Sequence, residues 1–285
     1  MPYTTLISTA ELAAAPDAAI VDARFELAYP DKGEADYRAA HIPGAVYAHL
    51  DRHLSGPKTG GNGRHPMPDL DSFKAQLGQW GIADGVQVVV YDQADGMHAA
   101  RLWWMLRALG HDTVAVLDGG WEKWQREGRP TRADDERRPA RVFTGGPILA
   151  GTVTPEQAGW MGADPAARLL DARAPERYRG AEEPIDPVAG HIPGAVNYPY
   201  RRSVQPDGTF KPAAEVRASL ETVLAGAAGA ALAAPLDAAA YCGSGVAACH
   251  VVLAAEYAGL PGVKLYPGSW SEWIADPRRP VELSL

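Results

Sequence analysis

Cysteine is almost absent from this chain: Cys242 and Cys249 are the two in 285 residues. Two thiols cannot build a disulfide framework, so the fold must close on an apolar core and a reducing compartment is expected. Long apolar runs are missing as well, and none reaches the length of a bilayer-spanning helix. The opening Met1-Pro2-Tyr3-Thr4-Thr5 shows no basic stretch ahead of an apolar core. A soluble cytoplasmic protein without a secretory leader is the expectation. Positive charge is in deficit, with 27 Lys and Arg against 35 Asp and Glu and a net charge of −8. That balance argues against nucleic acid or an anionic membrane as a general partner, while leaving room for local basic pockets. What is present, 46% hydrophobic and 22% charged residues, is ordinary for a globular protein. The length suits two domains, each able to bury its own core.

Those two domains are visible as an internal repeat. His41-Ile42-Pro43-Gly44-Ala45-Val46 returns as His191-Ile192-Pro193-Gly194-Ala195-Val196, and Asp22-Ala23-Arg24 as Asp171-Ala172-Arg173. Gly119-Gly120-Trp121-Glu122-Lys123-Trp124 matches Gly268-Ser269-Trp270-Ser271-Glu272-Trp273. A near-constant offset of this kind marks one domain made twice. The expected division is residues 1–127, a Pro- and charge-rich surface linker at 128–150, and residues 151–285. Aligned this way, Tyr91-Asp92 of the first copy falls on Tyr241-Cys242 of the second. An acid in one copy thus stands where the other carries a thiol.

Strand and helix signals alternate along both copies. Ser8-Thr9-Ala10-Glu11 and Thr154-Pro155-Glu156-Gln157 read as capping boxes opening helices. Ala19–Asp22, Arg168–Asp171, Val86–Tyr91 and Thr113–Leu117 read as short strands, and Ala99–Leu109 as a helix. Leu236–Tyr241 is alanine-rich and is assigned as a strand from the repeat alone. Alternation predicts an α/β protein with two tandem domains, each a parallel sheet flanked by helices.

Cys242-Gly243-Ser244-Gly245-Val246-Ala247-Ala248 joins the strand assigned from the repeat to a helix expected at Cys249–Tyr257. Glycines there let the backbone turn tightly and keep side chains out of the centre. Successive N–H groups can then face inward as an anion nest, backed by the start of the following helix. A thiol at its lip is in the right place to react as a thiolate. The bland reading is a buried cysteine beside a glycine turn. Position at the carboxyl end of a strand, where open α/β sheets place ligands, favours the functional one.

These motifs together resemble the tandem-domain rhodanese-type sulfurtransferases over essentially the whole chain. The resemblance implies a catalytically silent first domain and a second domain in which Cys242 takes sulfur from a small-molecule donor as a persulfide. A thiol, cyanide or a thioredoxin-like protein would then accept it, in a double displacement that requires no cofactor and no metal. Cys-Gly-Ser-Gly-Val resembles the loop of members that use 3-mercaptopyruvate rather than thiosulfate. In those members a serine, a histidine and an aspartate relay protons; by motif position these are Ser244, His65 and Asp51, the last two from the first repeat. Gly243, Gly245, Val246 and Ala247 would line the donor site with Arg177. A second carboxylate-binding arginine is missing, because Ile185-Asp186 stands where it is expected; Arg179, Arg201 and Arg202 are the candidates to replace it. Ala247 replaces a usual threonine.

Other residues are assigned more plainly. His41, His191 and the four duplicated tryptophans occur in both copies and are expected to hold structure. Cys249 is expected to be a packed small hydrophobe. His49 and His53 have metal-site spacing but no evident third ligand. The alternatives to a mercaptopyruvate enzyme are a thiosulfate-specific sulfurtransferase and a persulfide carrier without turnover. A cysteine phosphatase is disfavoured, since Ala247 and Ala248 occupy the places of a phosphate-binding arginine.

Overall fold

The computed structural model describes residues 2–15, 17–146, 151–225 and 237–284. Leu236, almost all of the alanine-rich stretch before it and the end of the expected linker fall outside these residues. The chain forms two compact units, and neither is continuous in sequence. Unit 1 comprises Met1–Gly56, Met67–Leu149 and Val204–Phe210; unit 2 comprises Pro57–Pro66, Ala150–Ser203 and Lys211–Leu285.

Unit 1 is built on strands β1 (Leu6–Ile7), β2 (Ala19–Asp22), β3 (Ala45–Tyr47), β4 (Val88–Tyr91) and β5 (Val114–Leu117). They pair in the order β1-β5-β4-β2-β3, and every pairing is parallel. Unit 2 repeats the plan with β6 (Arg168–Asp171), β7 (Val196–Asn197), β8 (Ala238–Tyr241) and β9 (Lys264–Leu265), in the order β7-β6-β8-β9 and again parallel. All four residues of β4 are buried, as a parallel strand covered on both faces requires. The alanines of β8 have little strand preference of their own, but β6 and β9 clamp them on both sides. Both expected capping boxes form, opening helices Thr9–Ala13 and Pro155–Ala163. Among the described residues no helix is long and apolar enough to cross a membrane.

The registers of the two sheets explain the repeated triplets. Asp22 lies opposite Tyr91 and Asp171 opposite Tyr241, at the carboxyl ends of the central strands. Each aspartate forms a buried ion pair at 2.7 Å with the arginine two residues on. Each arginine then donates to a carbonyl, Ala40 or Gly190, and lies 4.7 Å from a tryptophan ring, Trp121 or Trp270. Burial pulls the Arg173 pKa down, but the charge and hydrogen bonds of Asp171, with the Tyr241 and Glu183 charges, together more than offset this and hold the guanidinium above its usual range. His41 and His191 bond through Nδ1 to Tyr37 O and Tyr178 O and stack on those same tyrosines. They brace their loops, as their presence in both copies suggests.

One expectation needs revision, and two further features of the sequence acquire structural detail. Residues 128–146 do not simply drape over the surface: Arg132 and His41 exchange backbone hydrogen bonds, Arg141 bonds Gly78, and Phe143 is buried. His49 and His53 are committed to the backbone. His49 Nδ1 caps helix Leu50–His53 by accepting from Asp51 and Arg52, and His53 Nδ1 accepts the His49 N–H. Finally, the units depart from the repeat boundaries. Phe210 N–H donates to Asp118 at 2.7 Å, tying 204–210 to unit 1. Arg64 N–H donates to Ser271 Oγ at 2.9 Å, tying 57–66 to unit 2. Gly63, at φ +82°, sits so close to the Gly268 carbonyl that a side chain would collide with it.

Candidate active site

The loop Cys242–Val246 leaves β8 at its carboxyl end and feeds helix Ala247–Tyr257, which starts two residues earlier than the sequence suggested. Its shape is imposed from outside. Trp270 N–H donates to Cys242 O at 3.0 Å and Ser271 N–H to Gly243 O at 2.9 Å. In a trans peptide the carbonyl and the next N–H point in opposite directions, so turning these carbonyls out turns the Gly243 and Ser244 N–H groups in. Ser269 adopts a left-handed φ of 56°, unfavourable for a residue with a side chain. In that conformation its Oγ accepts the Cys242 N–H at 3.1 Å and donates to Tyr266 O at 2.9 Å. Gly245 has φ +77°, and a Cβ there would lie 2.2 Å from Pro267 O, so only glycine fits. Its N–H donates to Cys242 Sγ at 3.2 Å. The sulfur is therefore buried, with 3% of the residue exposed, yet faces a main-chain donor.

The matching loop of unit 1 shows what such a nest accepts. Asp92 occupies the place of Cys242, and its carboxylate takes N–H bonds from Ala94 and Gly96 on one oxygen and from His98 and Ala99 on the other, at 2.8–3.2 Å. Four amides converge on one internal anion. Burial, with the Asp95 charge adding to it, pushes the Asp92 carboxyl up to about 7 against the pull of those N–H groups. Because the folded value exceeds the unfolded one, this group stabilises most below pH 4 and its contribution falls until about pH 7. The slope is up to about 1.4 kcal/mol per pH unit. Asp92→Asn is expected to remove that slope, read as denaturation midpoints of both proteins between pH 5 and 8. Parallel curves would contradict the assignment.

Unit 2 gathers most of the residues singled out from sequence. Ser244 Oγ and His65 Nδ1 are 2.7 Å apart and both residues are buried. His65 comes from the first repeat in sequence but belongs to the same compact unit as Cys242. Val246 precedes the helix and Ala247 begins it. Asp51 lies in unit 1, in helix Leu50–His53, with its N–H bonded to His49. Cys249 is fully buried and donates from Sγ to Gly245 O at 3.1 Å, a packed thiol that also braces the loop.

Arg177, on helix Pro175–Arg179, is held by two acids. Its Nε bonds both oxygens of Glu183 at 3.0 and 3.1 Å, and its Nη2 reaches Asp186 at 2.9 Å. Burial disfavours the Glu183 carboxylate, but Arg177 and the N–H groups of Asp186 and Ile185 more than offset this and hold its pKa down. Of the three arginines offered as substitutes, Arg179 pairs with Glu176, while Arg201 and Arg202 lie over the rings of Tyr200 and Tyr198. Sequence reading missed Arg64. Its Nη1 bonds Asp186 at 2.5 Å, and its Nη2 lies 2.9 Å from where a Cβ on Gly243 would be, with Arg177 at 3.5 Å. The available signal was its place beside His65.

The chain matches the rhodanese-like domain family twice, over residues 8–127 and 154–276. It is 43% identical to a Pseudomonas aeruginosa protein named "Probable 3-mercaptopyruvate sulfurtransferase", with 99% of both chains covered. It is 34% identical to mouse thiosulfate sulfurtransferase over 95% of this chain and 92% of the mouse protein. Among solved structures, the 3-mercaptopyruvate sulfurtransferase of Leishmania major superposes with a TM-score of 0.83 at 29% identity, covering 95% of this chain and 74% of that one. The SseA sulfurtransferase of Escherichia coli superposes at 0.77 with 29% identity, covering 94% and 99%. Two family domains, a repeated buried framework and near-complete coverage by curated relatives lead to one assignment: the chain belongs to the rhodanese-like family, as a tandem-domain sulfurtransferase.

Proposed function

We propose that Cys242 carries sulfur from 3-mercaptopyruvate to a thiophilic acceptor, with no sulfur-carrying group in unit 1. The Cys242 thiolate attacks the donor sulfur; the C–S bond breaks and its electron pair leaves on carbon as the enolate of pyruvate. The donor thiol's proton ends on that carbon, so the net products are pyruvate and a Cys242 persulfide anion. The buried Ser244–His65 hydrogen bond supports that pair as the proton relay, and Asp51 is assigned to the relay on motif position alone. Cyanide, a thiol or a thioredoxin-like protein then attacks the outer sulfur and frees the Cys242 thiolate. A reducing cytoplasmic setting, which keeps that thiol available, belongs to the same proposal.

The observation that carries the reading is the convergence of three features at one loop: an inward N–H on the Cys242 sulfur, a buried Ser244–His65 hydrogen bond, and no positive side chain within the loop itself. The name of the Pseudomonas relative supports the same donor. Thiosulfate is the second donor, supported by the name of the mouse relative. It brings no proton to move, and that separates the two. His65→Ala is expected to lower kcat/KM for 3-mercaptopyruvate by about 10²-fold, with cyanide as acceptor, and to affect thiosulfate much less. Equal losses with both donors, or a wild-type preference for thiosulfate, would overturn the donor assignment.

A further inference from the structure

Ser271, at the start of helix Ser269–Trp273, makes two different attachments at the Cys242 loop. Its main-chain N–H donates to Gly243 O at 2.9 Å and so grips the peptide that leads into Ser244. Its side-chain Oγ accepts the Arg64 N–H at 2.9 Å and donates to Gly268 O at 3.3 Å. Arg64 is the residue before His65, whose Nδ1 meets Ser244 Oγ at 2.7 Å. Gly63, one residue earlier, leaves the room for this docking. A Cβ there would lie 2.7 Å from Gly268 O and 3.3 Å from Ser271 Oγ. The stretch Gly268–Ser271 is thus one template: its amides hold the Cys242 loop and its hydroxyl holds segment 57–66. Unit 1 separates the two attachments. Glu122 stands at the place of Ser271 in the repeat, and its N–H donates to Gln93 O at 2.9 Å in the same way. Its side chain turns back on that loop, accepting from Gln93 Nε2 at 3.1 Å. The main-chain attachment therefore belongs to the fold of both copies, whereas the hydroxyl attachment accompanies the copy that carries the thiol.

We infer that Ser271 is a positioning residue for proton transfer: through the Arg64 N–H its hydroxyl sets the register of His65 against Ser244. Both members of the pair are then referenced to a single residue, Ser244 through the Gly243 carbonyl and His65 through the Arg64 amide. Proton transfer is steeply sensitive to such placement, since a shift of about 1 Å can cost about 10²-fold in rate. A methyl group at residue 271 keeps the main-chain bond to Gly243 but removes the acceptor of the Arg64 N–H. That half-buried donor then finds a new partner only if the segment carrying His65 moves. The inference rests on the reading of Ser244 and His65 as the relay for 3-mercaptopyruvate.

The test is kcat/KM for 3-mercaptopyruvate divided by kcat/KM for thiosulfate, with cyanide as acceptor for both. It is read in wild type, Ser271→Ala, Ser271→Thr, His65→Ala and the double variant Ser271→Ala with His65→Ala. The ratio is expected to fall about tenfold in Ser271→Ala and to recover in Ser271→Thr, which restores the hydroxyl. With His65 already removed, Ser271→Ala should lower the ratio no further, because it acts through the imidazole. An unchanged ratio in Ser271→Ala, where His65→Ala lowers it, overturns the role of Ser271 and leaves the relay standing. A further tenfold fall in the double variant also overturns it, by showing that Ser271 acts without His65. An equal loss with both donors in His65→Ala strikes the relay reading itself, and the inference falls with it.

Discussion

Cys242→Ser is expected to leave a folded protein whose sulfur transfer has fallen by about 10⁴-fold or more with either donor. Serine has nearly the shape of cysteine and its hydroxyl can accept the Gly245 N–H that now meets the sulfur. The framework around it, from Ser269 to the Trp270 and Ser271 amides, grips main-chain atoms and is indifferent to the exchange. An alkoxide at this position is a far weaker nucleophile toward sulfur and cannot store a persulfide. Cys249→Ser should keep most of the activity, because that thiol is buried and spends its hydrogen on the Gly245 carbonyl. Steady-state assays with cyanide separate the two variants. Full activity in Cys242→Ser, or loss in Cys249→Ser alone, would mean the wrong thiol has been assigned.

The second large effect concerns stability. Asp171→Ala should destabilise unit 2 by about 3–5 kcal/mol, the cost of leaving a buried guanidinium without its partner. Asp171 accepts from the Arg173 N–H, Nε and Nη2, and nothing solvent-borne can replace it. Arg173 would be left with Gly190 O and a 3.4 Å contact to Glu183. Because Glu183 also grips Arg177, the loss should reach the donor site through a raised KM. Removing both members, as Asp171→Leu with Arg173→Met, should cost less than the sum of the single changes. Urea midpoints report the effect. A loss below about 1 kcal/mol would show the pair behaving like an exposed salt bridge.

The sequence was most readable where the fold demands particular side chains. Asp-Ala-Arg needs a carboxylate and a guanidinium two residues apart to make one buried pair, and His-Ile-Pro-Gly needs an imidazole that stacks on a tyrosine. Such sites tolerate few substitutes, so both copies kept them and the repeat announced itself. The strand Ala238–Tyr241 was legible only by that repeat, since its order comes from its neighbours and not from its alanines. Cys242 stood out because its twin is Asp92. Arg64 did not, because what gives it meaning is distant in sequence: Ser271 holds its backbone, Asp186 its guanidinium, and Gly243 leaves it room. The exchange of 57–66 and 204–210 between units was hidden for the same reason, as the contacts responsible link residues scores of positions apart.

Whether Cys242 holds sulfur as a covalent intermediate is measured directly by peptide mass spectrometry. Incubated with 3-mercaptopyruvate and no acceptor, then digested, the peptide containing Cys242 should gain the mass of one sulfur atom and lose it when cyanide is added. Failure to gain that mass, or a gain on Cys249 in its place, would contradict the account.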